Sequence, residues 1–147
     1  MQQLSPDEKN FIFQIANSIR YPIVRLELRS SKERSLISTA LNHVHLETKQ
    51  DSMEVVKQRA SILQSLCEKG FIEISYKVFI TVQSDYAIYD GSDIFLSLHQ
   101  LVEQGKKNPD YLFDIPYIKR GQVMLTEMGM SYVAQSDSEI QLCEHFK

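Results

Sequence analysis

Residues 61–74, reading SILQSLCEKGFIEI, leave this chain few ways to fold. Upstream of them Val56, Ala60, Leu63 and Cys67 recur at steps of four and three, and Val55, Ile62 and Leu66 widen the same side. That spacing predicts an amphipathic helix over residues 53–69. Gly70 is placed to end it in the left-handed conformation that a Cβ disfavours. The run from Phe71 to Val82 is rich in β-branched and aromatic residues, which predicts a strand directly after the stop. A second fragment, residues 122–133 (QVMLTEMGMSYV), reads as a strand over 118–126 running into a short helix over 127–134.

The rest of the chain is read around these two pieces. Ser5, Pro6, Asp7 and Glu8 form a helix start: a capping hydroxyl, proline in the first turn, then acids at the positive end. Phe11, Ile12, Ile15 and Ile19 follow at helical spacing, so a helix is expected over residues 6–19, broken by Pro22. Ile23 to Arg29 alternates, with Val24, Leu26 and Leu28 against Arg25, Glu27 and Arg29. A short half-buried strand fits, and a second helix is the alternative. Leu36, Ile37, Ala40, Leu41 and Val44 suggest a helix over residues 31–47. Asp51 with Glu54 resembles a capping box before the next helix. Ser92 to Gly105 is a further amphipathic helix, its Phe95, Leu98, Leu101 and Val102 face suited to core or to a dimer contact. Residues 1–134 are expected to make a single domain. Residues 135–147 form an acidic tail whose Ile140, Leu142 and Phe146 can dock or pair.

The chain of 147 residues is long enough to bury a core, and 43% hydrophobic and 24% charged residues are ordinary for a soluble globular protein. No apolar run reaches membrane-spanning length, and the N-terminus shows no secretory pattern. Cys67 and Cys143, far apart and without a pairing pattern, are expected to be reduced thiols of a cytoplasmic protein. The formal charge is -3, which argues against a strongly basic nucleic-acid binder. Its distribution softens that objection, because residues 1–70 carry ten Lys/Arg against eight Asp/Glu. The acidic excess lies in the second half.

Leu63, Leu66, Gly70, Phe71, Ile72 and Glu73 together resemble the end of the recognition helix and the first wing strand of MarR-type and PadR-type regulators. Val123, Leu125, Thr126, Gly129 and Val133 resemble the Leu-Thr-x-x-Gly exit from their second wing strand. The resemblance implies an α+β fold, a winged helix-turn-helix with a helix-containing insertion between the two wing strands. It also implies a transcriptional regulator that reads double-stranded DNA with helix 52–69 in the major groove, most simply as a homodimer on two half-sites.

The side chains for such a task are present. Lys57, Gln58, Ser61, Gln64 and Ser65 cluster opposite Val56, Ala60 and Leu63 at 100° per residue, about the α-helical step. Gln can bond adenine edges, Ser bases or phosphates, and Lys a phosphate. Glu54 and Glu68 share that face and would repel phosphates; a solvated helix face explains the pattern as well. Lys119 and Arg120 are candidate wing contacts to a phosphate flank, or part of an ordinary turn. Arg20, Arg25, Arg29, Lys32 and Arg34 form the richest basic stretch, suited to phosphate contacts or to internal ion pairs. Arg59 falls on the apolar side, where structural pairing is the better expectation than DNA contact.

Other chemistries find little support. His43 and His45 lack metal-site spacing, even with His99, His145, Cys67 and Cys143 available, so no metal is expected. No phosphate-binding glycine loop or nucleophile elbow occurs, so no cofactor, no catalytic residue and no enzymatic activity are expected. The competing expectation is a winged-helix module for protein–protein contacts, without DNA binding, which the acidic second half favours.

Overall fold

The computed structural model describes the backbone of residues 4–145 and the side chains of residues 4–136. Cys143, His145 and the apolar positions Ile140, Leu142 and Phe146 therefore lie outside the described side chains. The fold is α+β. Helices α1 (Pro6–Asn17), α2 (Met53–Glu68), α3 (Ala87–Asp90), α4 (Asp93–Gly105) and α5 (Glu127–His145) accompany strands β1 (Pro22–Arg29), β2 (Ile37–Val44), β3 (Ile72–Ser75) and β4 (Ile115–Leu125). The four strands form one sheet in the order β2-β1-β4-β3, with β1 antiparallel to both of its neighbours. Among the described residues no helix is long and apolar enough to cross a membrane.

Helix α1 starts as its sequence requires. The Ser5 hydroxyl accepts from the Glu8 N–H, and the Glu8 carboxylate accepts from the Ser5 N–H, a complete capping box. The helix closes at Asn17, where the Ser18 N–H turns back to the Ile15 carbonyl, so Ile19 stands outside it and is 94% exposed. Asp51 does not cap α2. Ser52 does, its hydroxyl accepting from the Val55 N–H, while Asp51 holds the N–H groups of Glu47 and Thr48. At the far end the Phe71 N–H reaches the Leu66 carbonyl and the Gly70 N–H the Cys67 carbonyl, with Gly70 at φ 87°. This is the Schellman closure expected of that glycine.

Three expectations are corrected. The helix foreseen over residues 31–47 is instead β2. Two register shifts against β1 explain the misleading pattern, since Val24 pairs with Val44, Leu26 with Leu41 and Glu27 with Thr39. The extra residues of these bulges bring Leu41 and Val44, three positions apart as on a helix, to one face of a strand. The long strand over 71–82 stops at Ser75, whose hydroxyl accepts from the Lys77 and Val78 N–H groups and turns the chain away. The short helix after β4 continues to His145.

Contacts group the chain into two compact units. The first comprises Met1–Tyr21, Ile62–Ile74 and Val123–Lys147. Ile12, Ile15, Leu63, Leu66, Phe71, Ile72 and Val123 are buried in it, and Tyr132 of α5 meets the rings of Phe13 and Phe71. The two sequence fragments that seemed to belong to a wing lock together here. Thr126 Oγ1 donates to the Gly70 carbonyl at 2.6 Å, and the Thr126 N–H donates to the Phe71 carbonyl at 3.1 Å. A Cβ on Gly129 would lie 2.2 Å from that same Phe71 oxygen, so only glycine lets α5 approach so closely.

The second unit comprises Pro22–Ser61 and Ser75–Gln122. One face of the β1–β2 hairpin, with Val24, Leu26 and Val44, packs against Tyr86, Tyr89, Ile94, Phe95 and Leu98. Ser92, 2% exposed, caps α4 by accepting from the Phe95 N–H. Phe95, Leu98 and Val102 are thus core, whereas Leu101 stays 53% exposed.

Candidate functional site

The opposite face of β1 carries the charges. Side chains of residues paired directly across antiparallel strands share a face. Arg25 faces Lys119, Glu27 lies between Thr39 and Tyr117, and Arg29 lies between Ile37 and Ile115. The two cations Arg25 and Lys119 are therefore nearest neighbours on the sheet, an arrangement that costs free energy unless an anion joins them.

Glu27 does not neutralise this pair. Its carboxylate, 3% exposed, accepts from Nε and Nη2 of Arg29 at 3.1 and 2.7 Å. The Arg29 guanidinium also lies 3.5 Å from the centroid of the Tyr117 ring. Arg25 is oriented differently. Its Nε donates to Asn42 Oδ1 at 2.8 Å and its guanidinium stacks 4.1 Å from the Tyr76 centroid. Its terminal N–H groups make no hydrogen bond among the described residues, and Lys119, half-buried, makes no ion pair among them.

The bulge in β2 builds the support under Arg25. Asn42 and His43 together oppose Arg25, and His43 takes φ 51°, which is uncommon for a residue with a side chain. The His43 N–H donates to Tyr76 Oη at 2.9 Å, and Nδ1 of the same residue lies 2.8 Å from that oxygen, with the two rings stacked. Burial, and to a lesser degree the Glu27 carboxylate, raises the Tyr76 phenol to about 12, against the lowering effect of the His43 N–H and Arg25. Tyr76 keeps its proton, and in its contact with Nδ1 the His43 tautomer sets which of the two donates. The Tyr76 ring lies across Gly121, where a Cβ would come within 2.6 Å of it. The strained residue, the glycine and the aromatic ring thus hold one guanidinium flat, with its outer edge free.

The residues proposed from the sequence are distributed differently. Lys57, Gln58 and Ser61 are exposed on α2. Gln64 Nε2 donates to Glu68, and the Ser65 hydroxyl donates to Glu8 at 2.9 Å. Of the two residues expected in a wing, Lys119 joins Arg25, and Arg120 points to the other face, 5.1 Å from the Tyr86 centroid. Sequence reasoning had Arg25 and Arg29 only as members of a basic stretch and missed Asn42, His43, Tyr76 and Tyr117. The alternation of β1 was the usable signal for the arginines. Nothing local marks Tyr76, because its partners lie far away along the chain.

Two ionic clusters elsewhere are closed. Arg59 donates to the His45 carbonyl, to Asp51 at 2.6 Å and to Glu47 at 3.3 Å, which ties the β2–α2 connection to the helix. Burial opposes ionisation of Asp51, but Arg59 and the neighbouring donors hold its carboxyl well below the usual range. Glu8 accepts from Lys69 Nζ at 2.9 Å. Burial opposes its charge as well, yet the Ser5 N–H, Lys69, Ser65 and Ser5 hydroxyls keep it at about 2. Nδ1 of His45 bonds the Pro22 carbonyl, and burial, then Arg59, lowers the affinity of that ring for a second proton. Among the described residues no group of three metal-ligating side chains comes together.

The model of one family, described as abortive infection alpha, matches residues 1–135, and the chain belongs to that family. No curated protein and no solved structure matches it. The resemblance to MarR-type and PadR-type regulators is thereby overturned. Its physical basis is now visible. The two motifs that carried it are the two sides of one packed helix–strand junction, and α2 is entered from a β-hairpin, not from the preceding helix that a helix-turn-helix requires.

Proposed function

We propose that this member of the abortive infection alpha family acts in abortive infection by binding single-stranded nucleic acid on the Arg25–Lys119 face of its sheet. The observation that carries the reading is the cross-strand pair of cations without a carboxylate between them, one of them stacked on Tyr76. A phosphate bridging the two would remove their repulsion and accept charge-assisted hydrogen bonds from the free edge of Arg25. Tyr117, 39% exposed, and the arginine planes offer π-faces for bases, the combination used by sheet platforms for unpaired strands. A helix in the major groove needs its polar side chains free, and two of the five on α2 are already engaged within the protein.

The test is fluorescence anisotropy with short labelled single-stranded RNA, single-stranded DNA and duplex DNA at about 50 and about 200 mM salt. Single strands should bind best, weaken with salt, and lose at least about tenfold in affinity in Arg25→Gln/Lys119→Gln. Unaltered binding in that double variant removes the sheet reading. Duplex preference abolished by Lys57→Ala/Gln58→Ala would return the interface to α2. A matching loss of protection in cells challenged with phage ties the surface to the family's name.

A further inference from the structure

Beside β4 lies a cleft of about 260 Å³. It is lined by Tyr86, Asp90, Phe95, Pro116, Tyr117, Ile118 and Arg120. The walls are aromatic and aliphatic. Tyr86 presents only its ring, because its hydroxyl accepts from the Ile80 N–H at 2.9 Å and donates to the Gly121 carbonyl at 2.8 Å. Phe95 is held edge-on to His99 with centroids 4.7 Å apart.

Two charged groups remain. Arg120 is exposed and rests on the Tyr86 ring, and Asp90 is exposed beside the same wall. Neither makes an ion pair among the described residues, although both line one small cleft. An acceptor-only carboxylate and a donor-only guanidinium line the same cleft as several apolar rings, which matches a flat ligand that carries both an anionic group and a hydrogen-bond donor.

We propose that this cleft binds a small ligand of the mononucleotide class, a planar heteroaromatic ring bearing an anionic group. The ring meets the edges that Tyr86, 3% exposed, and Phe95, 8% exposed, leave open, the anion meets Arg120, and Asp90 accepts from an amino or hydroxyl group of the ligand. At about 260 Å³ the cleft is small for a ligand pocket and holds at most one such unit. Arg is the fitting cation, since its planar fork bonds a phosphate bidentately while it stays stacked on an aromatic ring. The cleft shares Tyr117 with the sheet face, but the cations of that face, Arg25 and Lys119, are not among its lining residues.

The experiment is isothermal titration calorimetry on the full chain carrying Arg25→Gln/Lys119→Gln, which removes the sheet face as a competing phosphate site. The probes are 5′-AMP, adenosine and inorganic phosphate. Binding of 5′-AMP should be at least about tenfold tighter than of adenosine or phosphate, because ring and anion act together. Adding Arg120→Gln should reduce 5′-AMP to the level of adenosine, and adding Asp90→Asn should weaken adenosine and 5′-AMP alike while leaving phosphate unchanged. Both side chains are exposed, so thermal melts of these variants should match the parent. No heat with any probe up to about 5 mM, or equal binding of 5′-AMP with and without Arg120, overturns the proposal. Loss of 5′-AMP binding in the Arg25→Gln/Lys119→Gln background alone would assign the nucleotide to the sheet face and also overturns it.

Discussion

Arg59 and Arg25 are both arginines held by the β1–β2 hairpin and its exits, and they are treated in opposite ways. Arg59 has its guanidinium filled: a carbonyl and two carboxylates surround a side chain that is 13% exposed. Arg25 is anchored through one nitrogen and one stacked ring, with a second cation beside it and its terminal nitrogens open. The first arrangement satisfies every charge it buries, so it accounts for itself as structure. The second leaves repulsion standing on a surface whose support includes a residue at positive φ. That local conflict is the ground for the proposed nucleic-acid face.

The contrast can be broken at the closed end first. Arg59→Ala should destabilise the protein by about 3 kcal/mol, because Asp51 would be left buried without its cation. A urea melt checks this, and a loss below about 1 kcal/mol would place Arg59 with the weak surface pairs. Glu8 comes next. Its folded pKa of about 2 lies below the ordinary value of 4.5, so its contribution is complete above pH 4.5 and disappears as pH falls towards 2. A shift of that size corresponds to on the order of 3 kcal/mol at most. Glu8→Gln should cost about 2 kcal/mol at neutral pH and flatten the acid limb of the stability curve, read from melts across that window.

The open end should behave differently. Tyr76→Phe leaves the His43 N–H without its acceptor and should cost about 1 kcal/mol, while weakening oligonucleotide binding by loosening Arg25. Anisotropy and thermal melts on the same variant separate the two effects. Arg25→Gln/Lys119→Gln should change stability least, by no more than about 0.5 kcal/mol and in the stabilising direction, since it removes a like-charge pair. A large destabilisation there would show that the two cations serve the fold.

Much of this molecule was legible in local pattern. The helix start at Ser5, Pro6 and the acids that follow, the span of α2, the glycine stop at Gly70 and the helix after Ser92 all rest on interactions within a few residues. The failures share a cause. Leu41 and Val44 imitated a helix because bulges reset the strand period, and bulges are set by a partner strand. Ser65 and Gln64 seemed free because their carboxylate partners, Glu8 and Glu68, are assigned only by packing and rotamer. Tyr76 was unremarkable in sequence, since its value lies in reaching back to His43 and Arg25.

The sequence by itself determined the helix-stop-strand junction at residues 61–74, because periodicity, a capping glycine and β-branched residues act over short range. Its alternation also pointed to Arg25 and Arg29 on one side of a strand, with a second helix left open until the sheet chose the strand. Only the tertiary structure decided that Lys119 would stand opposite Arg25, that Glu27 would be consumed by Arg29, and that Arg120 would turn to the aromatic cleft. Those outcomes depend on strand register, and a slip of one residue would exchange every one of them.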